Sequence, residues 1–276
     1  MWHSKCKALL IDIHGVLFNS SSNGEYSVIE GSIDAIKKLQ NKKFPFMLLT
    51  NESQVPPNVL LKLLNSMGFQ LQIENIYSPL MAIKEIIEKS SLKPFSIISD
   101  NLKTYLPHHD IDECDSVVVT DAHTNFSYET MNKAFQFLIQ NPKSRFLTAG
   151  KGKYYRDSKV GLVLDLGPFT EALEFATDRK AEIIGKPGNL FFRNALNMLH
   201  SNPDQVIGMR FQNKTFMVGD DILNDVGGAQ SVGMFGVLVR SGKYRPEDEH
   251  HPIVKPIMIV NCINDFVEKL FAPSDL

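Results

Sequence analysis

Four short segments of the chain place chemically capable side chains directly after apolar runs. Asp12 ends the run ALLID, Thr50 and Asn51 follow FMLL, Lys186 follows AEIIG, and Asp220 follows TFMVG. Apolar runs of this length are typical of strands buried in a parallel sheet, and open α/β sheets bind their ligands at the carboxyl ends of the strands. The sequence therefore predicts that these four segments meet at one sheet edge.

The last of these segments, GDDILND, carries three carboxylates within six residues: Asp220, Asp221 and Asp225. Carboxylates this close repel one another, so their burial requires a compensating cation. Mg²⁺ prefers oxygen ligands and retains several waters, so one or two carboxylates and a substrate phosphate suffice to bind it. A metal site is therefore the favoured interpretation. Asp12 taken alone is either a nucleophile and metal ligand or a residue that caps a turn or helix.

Thr50, Asn51 and Lys186 each allow two interpretations. The hydroxyl, the amide and the exposed N–H groups at Thr50 and Asn51 suit phosphate oxygens, although a plain helix N-cap is favoured when they are considered alone. Lys186 lies between Gly185 and Pro187, which restrict the backbone. It is either a point charge that neutralises a phosphoryl group and nearby carboxylates, or an exposed turn lysine.

Short apolar runs alternate with amphipathic stretches along most of the chain, which is the pattern of βαβ units and a parallel sheet. Predicted strands lie at 8–13, 46–50, 95–99, 117–120, 146–149, 181–184, 215–218 and 235–239. Helical periodicity is present around 33–39, 59–67, 131–138, 169–176, 192–199 and 223–231. The predicted fold class is therefore α/β.

The composition excludes several classes of protein. A length of 276 residues suits one large or two modest domains, and a net charge of −2 without a Lys/Arg cluster gives no reason to expect nucleic acid. Three distant cysteines favour free thiols over disulfides or zinc. The N-terminus does not resemble a signal peptide, and no apolar stretch is long enough to cross a membrane. We expect a cytoplasmic protein that also enters the nucleus by diffusion.

In this order, the four segments resemble the four signature motifs of the haloacid-dehalogenase-like superfamily. The resemblance implies a Rossmann-like parallel-sheet core and an aspartyl-phosphate formed on Asp12, which splits one displacement into two easier ones. It also implies that Asp12 and Asp220 hold Mg²⁺. Asp221 or Asp225 is then expected to lie next to these ligands and to hold them in position without contacting the metal. Lys186 matches the lysine that steadies the nucleophile and the phosphoryl charge.

The same resemblance assigns phosphate binding to Thr50 and Asn51, together with Ile13 and His14. The superfamily commonly has a second Asp at the position of His14, where it protonates the leaving group, while the backbone carbonyl there contacts the metal. Imidazole titrates near neutral pH, so His14 could restore acid–base catalysis. It could equally be a bulky replacement that narrows the site and weakens activity.

Longer segments, among them DIHGVLFNS, DAHTNFSYETMNKAFQ, GKPGNLFF and SGKYRPEDEHHP, resemble the family of phospholysine phosphohistidine inorganic pyrophosphate phosphatases. This resemblance implies an α/β cap of the C2 type at 79–182, inserted into a catalytic core of 1–78 and 183–276. It also implies Mg²⁺-dependent hydrolysis of P–N bonds and pyrophosphate by a homodimer. The alternatives are a phosphatase for small organic phosphomonoesters and a catalytically weak phosphate-binding or regulatory protein.

Within the predicted cap, the segment GKGKYY follows the strand at 146–149. Glycines beside lysines and tyrosines suit a loop that contacts substrate, so Lys151 or Tyr154 is a candidate contact. A turn that faces solvent is an equally good interpretation of this segment.

Overall fold

The computed structural model describes residues 5–20, 26–157, 161–200 and 214–273. Within these ranges the strands are β1 (Ala8–Asp12), β2 (Phe18–Ser20), β3 (Tyr26–Val28), β4 (Phe46–Leu49), β5 (Ile76–Tyr77), β6 (Pro94–Ile97), β7 (Ser116–Val119), β8 (Arg145–Thr148), β9 (Tyr154–Asp157), β10 (Gly161–Leu164), β11 (Glu182–Ile183), β12 (Thr215–Gly219), β13 (Phe235–Val239) and β14 (Met258–Val260). The α-helices in the same ranges are α1 (Ser32–Asn41), α2 (Pro57–Ser66), α3 (Pro79–Ser90), α4 (Tyr128–Gln140), α5 (Leu166–Thr177), α6 (Asn189–His200), α7 (Gly228–Ser231) and α8 (Ile263–Phe271).

The chain divides into two units. The first consists of Met1–Thr50, Leu61–Tyr77 and Lys186–Leu276, and the second of Asn51–Leu60 and Ser78–Gly185. Residues 51–60 are predicted from the sequence to belong to the core, but hydrogen bonds join this segment to the second unit. Ser99 Oγ donates to the Gln54 carbonyl at 2.8 Å, and the Asp121 amide donates to Ser53 Oγ at 3.2 Å. That the second unit acts as an inserted cap stays a prediction.

The first unit is built on a six-stranded sheet of order β14-β13-β12-β1-β4-β5, in which every pair of neighbours is parallel. From β1 the chain fills β4 and β5 on one side, and later β12, β13 and β14 on the other. The carboxyl edge beside β1 is therefore the topological switch point, where open α/β sheets bind ligands. The prediction of an α/β fold with a parallel-sheet core is confirmed.

Burial explains why these strands read as continuous apolar runs. All five residues of β1 and all four of β4 are buried, as expected for strands of a parallel sheet that is covered on both faces. On one flank α1 and α8 pack together, and α8 buries Ile263, Phe266, Val267 and Leu270. Lys38 of α1 also donates to Glu268 of α8 at 2.6 Å.

The second unit contains a parallel four-stranded sheet of order β11-β8-β7-β6, the helices α3, α4 and α5, and the antiparallel hairpin of β9 and β10. Arg179, which follows α5, contacts the C-terminal end of α4, because its guanidinium donates to the carbonyls of Leu138 and Asn141, each at 3.1 Å. In the described part of the chain, no helix is long and apolar enough to span a membrane.

The predicted helix at 223–231 differs from the observed structure. Ile222–Gly227 forms a wider, π-helical turn, and only the four residues of α7 are α-helical. The Asp221 side chain accepts hydrogen bonds from the amides of Leu223 and Asn224 at 3.0 and 2.9 Å and so begins this turn. Such turns are frequent at functional sites, and this one carries Asp225.

Gly236 allows β13 to pass close to that π-helical turn. A Cβ atom at Gly236 would lie 2.4 Å from Val226 Cγ1 and 2.9 Å from Val226 Cα. We expect Gly236→Ala to lower the free energy of unfolding by about 1–3 kcal/mol, because the added methyl group overpacks the core. Denaturation followed by circular dichroism measures this change.

Gly150→Ala is the matched control for that variant, since the nearest atom to its Cβ would lie at 3.6 Å, an ordinary contact distance. If both variants unfold at the denaturant concentration of the unmodified protein, the steric argument at Gly236 is wrong.

Candidate active site

Asp12 lies at the carboxyl end of the central strand β1 and is only 7% exposed. Its Oδ1 accepts a hydrogen bond from the Ile13 amide at 2.7 Å and an ion pair from Lys186 Nζ at 2.7 Å. Within the described residues, no donor contacts the other carboxylate oxygen, Oδ2. One oxygen of Asp12 is therefore fixed by the protein, and the other is available for chemistry.

Lys186 is 3% exposed, which excludes the alternative of an exposed turn lysine. Its Nζ lies 2.7 Å from Asp12 Oδ1, 2.7 Å from Asp225 Oδ1 and 3.4 Å from the Leu49 carbonyl oxygen. Burial opposes the charge on this ammonium group, but the two carboxylates outweigh burial and raise the pKa of Lys186 above its usual range. Lys186 is therefore a permanent cation beside the candidate nucleophile.

Asp220 directly follows β12, the strand that pairs with β1, and it is buried. Its Oδ2 accepts a hydrogen bond from the Lys243 amide at 2.6 Å. Burial raises the pKa of Asp220 well above its usual range, and the negative charges of Asp12 and Asp225 raise it further, against the opposing effect of the hydrogen bond from Lys243. The charged form of Asp220 is thus destabilised unless a cation accompanies it.

Asp225, which is predicted from the sequence to support the metal ligands, is completely buried. Besides the ion pair with Lys186, its Oδ2 accepts a hydrogen bond from the Asp221 amide at 3.1 Å. Burial and the charge of Asp12 raise the pKa of Asp225 to about 7, with Lys186 opposing this change and Asp221 adding to it. Asp225 thus belongs to the same electrostatic cluster as Asp12 and Asp220.

The donor set of Asp12, Asp220 and Asp225 fits a divalent metal ion. One carboxylate oxygen from each lies within 4.8 Å of the others, and all three residues are buried. Lys186 neutralises only part of their negative charge, and buried charges require a partner. Oxygen donors of this kind are the ligands that hard divalent cations prefer.

Asp221 contributes to the site through the backbone. Its side chain accepts hydrogen bonds from the amides of Leu223 and Asn224, and the Asn224 side-chain amide donates to its Oδ2 at 2.7 Å. Asp221 therefore holds the π-helical turn that carries Asp225, which is consistent with its predicted supporting position.

Two glycines allow the backbone to pass close to Asp220. Gly15 and Gly242 both have positive φ, 82° and 60°, and a Cβ atom on either would lie 2.0 Å from Asp220 Oδ2. Only glycine fits these positions, because φ is in the left-handed region and the carboxylate occupies the space of a side chain. Gly242 is not among the site residues predicted from the sequence.

The remaining predicted site residues of the first unit lie on the same strand ends. Thr50 is buried directly after β4, and its amide donates to the Tyr77 carbonyl at 3.3 Å. His14 is half-buried, with its ring packed at 4.7 Å between centroids against Phe18. Their roles in binding phosphate, and that of the His14 carbonyl in binding metal, stay predictions.

Asn51 begins the second unit in the observed division of the chain. Its side chain lies so close to Gly185 that a Cβ atom there would approach Asn51 Oδ1 to 2.7 Å. Asn51 is therefore held beside the residue that precedes Lys186 in the chain, and its predicted contact with phosphate stays a prediction.

The loop Ser241–Gly242–Lys243 after β13 is part of the site but was not predicted. The Lys243 amide bonds to Asp220, and Ser241 Oγ donates to the Gly15 carbonyl at 2.6 Å. A sequence signal exists, since Ser-Gly-Lys follows the predicted strand at 235–239 just as the other motifs follow their strands.

In the second unit, Lys151 is held by carboxylates of its own unit. Its Nζ forms ion pairs with Glu171 at 2.6 Å and with the buried Glu174 at 2.7 Å. Burial opposes the charge of Lys151, but the two carboxylates raise the pKa above its usual range. A structural role explains these contacts, whereas Tyr154 in β9 is half exposed and keeps its place as a candidate.

A polar network follows the strands of the second unit and was also not predicted. Gln54 Nε2 donates to Asp121 Oδ2 at 2.7 Å, while Gln54 Oε1 lies 3.0 Å from His123 Nε2. Tyr155 adds its hydroxyl at 3.3 Å from the same His123 nitrogen. These residues lie far apart in sequence, so only the fold brings them together.

Comparison with known proteins identifies the family. A family model described as haloacid dehalogenase-like hydrolase matches residues 9–112, and a HAD-hydrolase-like model matches 183–266. A human protein named phospholysine phosphohistidine inorganic pyrophosphate phosphatase is 38% identical over 98% of this chain and 96% of its own. The chain belongs to the haloacid dehalogenase-like hydrolases. The predicted resemblance is confirmed.

A Xenopus laevis protein of the same name is 36% identical over 99% of this chain and 98% of its own length. These full-length relatives confirm the prediction of a hydrolase of the phosphatase type. Among solved structures, a 4-nitrophenylphosphatase from Thermotoga maritima superposes with a TM-score of 0.83 over 97% of this chain and 98% of its own, at 22% identity. At this identity the similarity shows the shared fold alone.

The carboxylate cluster predicts an unusual effect on stability. Without a divalent cation, we expect Asp220→Asn to raise the thermal midpoint of unfolding, because the raised pKa of Asp220 marks a charge that folding disfavours. That cost is present above the folded-state pKa and vanishes below the unfolded-state pKa, so the gain from Asp220→Asn should grow as pH rises. Thermal melts at pH 5 and pH 8 measure it.

Adding a divalent cation should raise the midpoint of the unmodified protein but not that of the variant, because a ligand stabilises only the state that binds it. Asp34→Asn, at an exposed position of α1, serves as the matched control. A lower midpoint for Asp220→Asn than for Asp34→Asn at pH 8 would show that the Asp220 charge stabilises the fold without metal.

Proposed function

We propose that this protein is a Mg²⁺-dependent phosphatase that hydrolyses phosphohistidine, phospholysine and inorganic pyrophosphate through an aspartyl-phosphate on Asp12. The observation that carries the proposal is the Asp12 carboxylate at the switch point of the sheet. Its Oδ1 is bound to Lys186 at 2.7 Å, and Asp220 and Asp225 complete a metal-binding cluster around it.

The proposed first step is attack of Asp12 Oδ2 on phosphorus. A P–O bond to Asp12 forms, and the P–N or P–O bond to the leaving group breaks. A leaving nitrogen, protonated by solvent beforehand, departs as a neutral amine or imidazole, and a leaving oxygen departs as phosphate. Lys186 keeps the attacking carboxylate ionised and oriented, because its ammonium group holds Oδ1. Water then attacks the aspartyl-phosphate, releasing phosphate and restoring the carboxylate of Asp12.

Asp12, Asp220 and Asp225 are the residues that would hold the metal, with the His14 carbonyl as a further predicted ligand. When bound, Mg²⁺ supplies positive charge to the phosphoryl oxygens and to the carboxylates. The protein contributes position: β1 and β12 hold Asp12 and Asp220 on neighbouring strands, and the π-helical turn holds Asp225. Most of the rate should therefore come from orientation and electrostatics.

The substrate class rests on the relatives, whose printed names combine phospholysine, phosphohistidine and pyrophosphate. The chain's own contribution to this proposal is His14, which replaces an acid at the position that protonates leaving groups in the superfamily. A phosphoramidate nitrogen is basic enough to take a proton from water before the P–N bond breaks, and pyrophosphate leaves as a stable phosphate anion. Both therefore depend less on that acid than an alkoxide does. A homodimer and a cytoplasmic location, both predicted from the sequence, stay predictions.

Phosphate release tests this proposal directly. We expect Mg²⁺-dependent release from a phosphohistidine peptide and from pyrophosphate, at a higher kcat/KM than from a simple alkyl phosphate. Asp12→Asn should reduce release at least about a thousandfold, since it removes the nucleophile. Asp34→Asn, an isosteric change at an exposed carboxylate, should leave release unchanged.

Preference for the alkyl phosphate would instead support the phosphomonoesterase alternative. Mg²⁺-dependent phosphate binding without release from any substrate would support the weakly catalytic binding protein.

His14→Ser tests the one departure from the superfamily motif. Because pyrophosphate needs little help from a general acid, and the His14 ring packs on Phe18, we expect pyrophosphate turnover to change less than about threefold. The pH–rate profile should keep its shape. A loss of about a hundredfold together with the loss of one limb of the profile would show that the imidazole transfers protons.

A further inference from the structure

The loop that follows β13 is anchored to the active site at two points. The Lys243 amide donates to Asp220 Oδ2 at 2.6 Å, and Ser241 Oγ donates to the Gly15 carbonyl at 2.6 Å. Gly15 lies three residues after Asp12, so the loop is tied both to the nucleophile segment and to the metal-binding carboxylate.

A second set of contacts fixes the same loop from its other side. Glu249 Oε1 accepts from Arg240 Nε at 2.7 Å and from the Tyr244 hydroxyl at 2.5 Å, and Arg240 also donates to Asn261 Oδ1 at 3.2 Å. Because bonds on both sides of Lys243 hold the backbone, the position where its side chain leaves the loop is well defined.

The ammonium group of Lys243 differs in its surroundings from that of Lys186, which is buried and ion-paired. Lys243 is exposed, and in the described part of the chain its Nζ forms no ion pair or hydrogen bond. Within the described residues, Lys243 is therefore an exposed lysine without a fixed partner, on a loop whose backbone is bonded to Asp220.

The net charge of the site favours a further cation near the bound substrate. The three clustered carboxylates are balanced by Lys186 and one divalent metal ion, which leaves no surplus positive charge for a phosphorylated substrate. An incoming phosphoryl group carries one or two negative charges, and pyrophosphate carries more. Charge-assisted hydrogen bonds from an ammonium group to phosphate oxygens are among the stronger polar contacts in proteins.

We propose that Lys243 is a substrate-binding residue that contacts an anionic oxygen of the phosphorylated substrate. Its contribution is greatest for pyrophosphate, whose leaving group is itself anionic, and smallest for a substrate whose leaving group is neutral. The inference rests on the proposed phosphatase function, and it adds a residue outside the four sequence motifs to the recognition of substrate.

The test compares Lys243→Met and Lys243→Arg with the unmodified protein. Steady-state kinetics with Mg²⁺ give KM and kcat for pyrophosphate and for an aryl phosphate, and calorimetry gives the affinity for inorganic phosphate. We expect Lys243→Met to raise KM for pyrophosphate about tenfold and to weaken phosphate binding about as much, with kcat within about threefold. Lys243→Arg should keep KM for pyrophosphate and the affinity for phosphate close to those of the unmodified protein.

Lys255→Met, which removes another exposed lysine of the same unit, is the matched control and should change none of these values. The Mg²⁺ concentration for half-maximal activity should not increase in Lys243→Met, because the backbone amide rather than the ammonium group binds Asp220. An increase in that concentration, an unchanged KM, or a fall in kcat alone would overturn the proposal.

Failure of the proposed function is distinguishable from failure of this inference. If the unmodified protein releases no phosphate from either substrate, the phosphatase proposal fails. Calorimetry with inorganic phosphate and Mg²⁺ still tests Lys243, because binding does not require turnover.

Discussion

Three buried carboxylates within 4.8 Å of one another, with one lysine between two of them, impose the main physical demand on this protein. Charged carboxylates separated from water are unstable unless cations and hydrogen-bond donors compensate them. The raised pKa values of Asp220 and Asp225 record that cost. The rest of the core unit must hold these groups in place against their mutual repulsion.

The parallel sheet meets this demand because its strands end together. Asp12 and Asp220 leave neighbouring strands at one edge, and the buried apolar residues of β1 and β12 fix the register between them. The favourable free energy of packing the sheet and its helices therefore compensates for the cost of burying the three carboxylates. A site that is destabilised without its ligand, on a stable scaffold, is the usual compromise between activity and stability.

Close approach of backbone completes the site. Gly15 and Gly242 both approach Oδ2 of Asp220, and the π-helical turn directs Asp225 back toward Lys186. These features bring backbone donors and charged groups to the carboxylates without placing a side chain at Gly15 or Gly242.

The sequence by itself determined the α/β class, most strand positions and the four polar segments, because buried parallel strands leave continuous apolar runs with polar residues at their ends. From the same local patterns, Lys186 could be either an exposed turn lysine or a buried cation. Tertiary structure decided that question, since burial and the two ion pairs depend on residues 174 positions before and 39 positions after it.

Local sequence patterns do not indicate several other features of the structure. The split of the predicted helix at 223–231 arises from the cap at Asp221 and the wide turn that follows. The Gln54, Asp121 and His123 network and the Lys243 loop join segments distant in the chain. Periodicity reports which face of a segment is buried, but only the packed fold sets which distant groups meet.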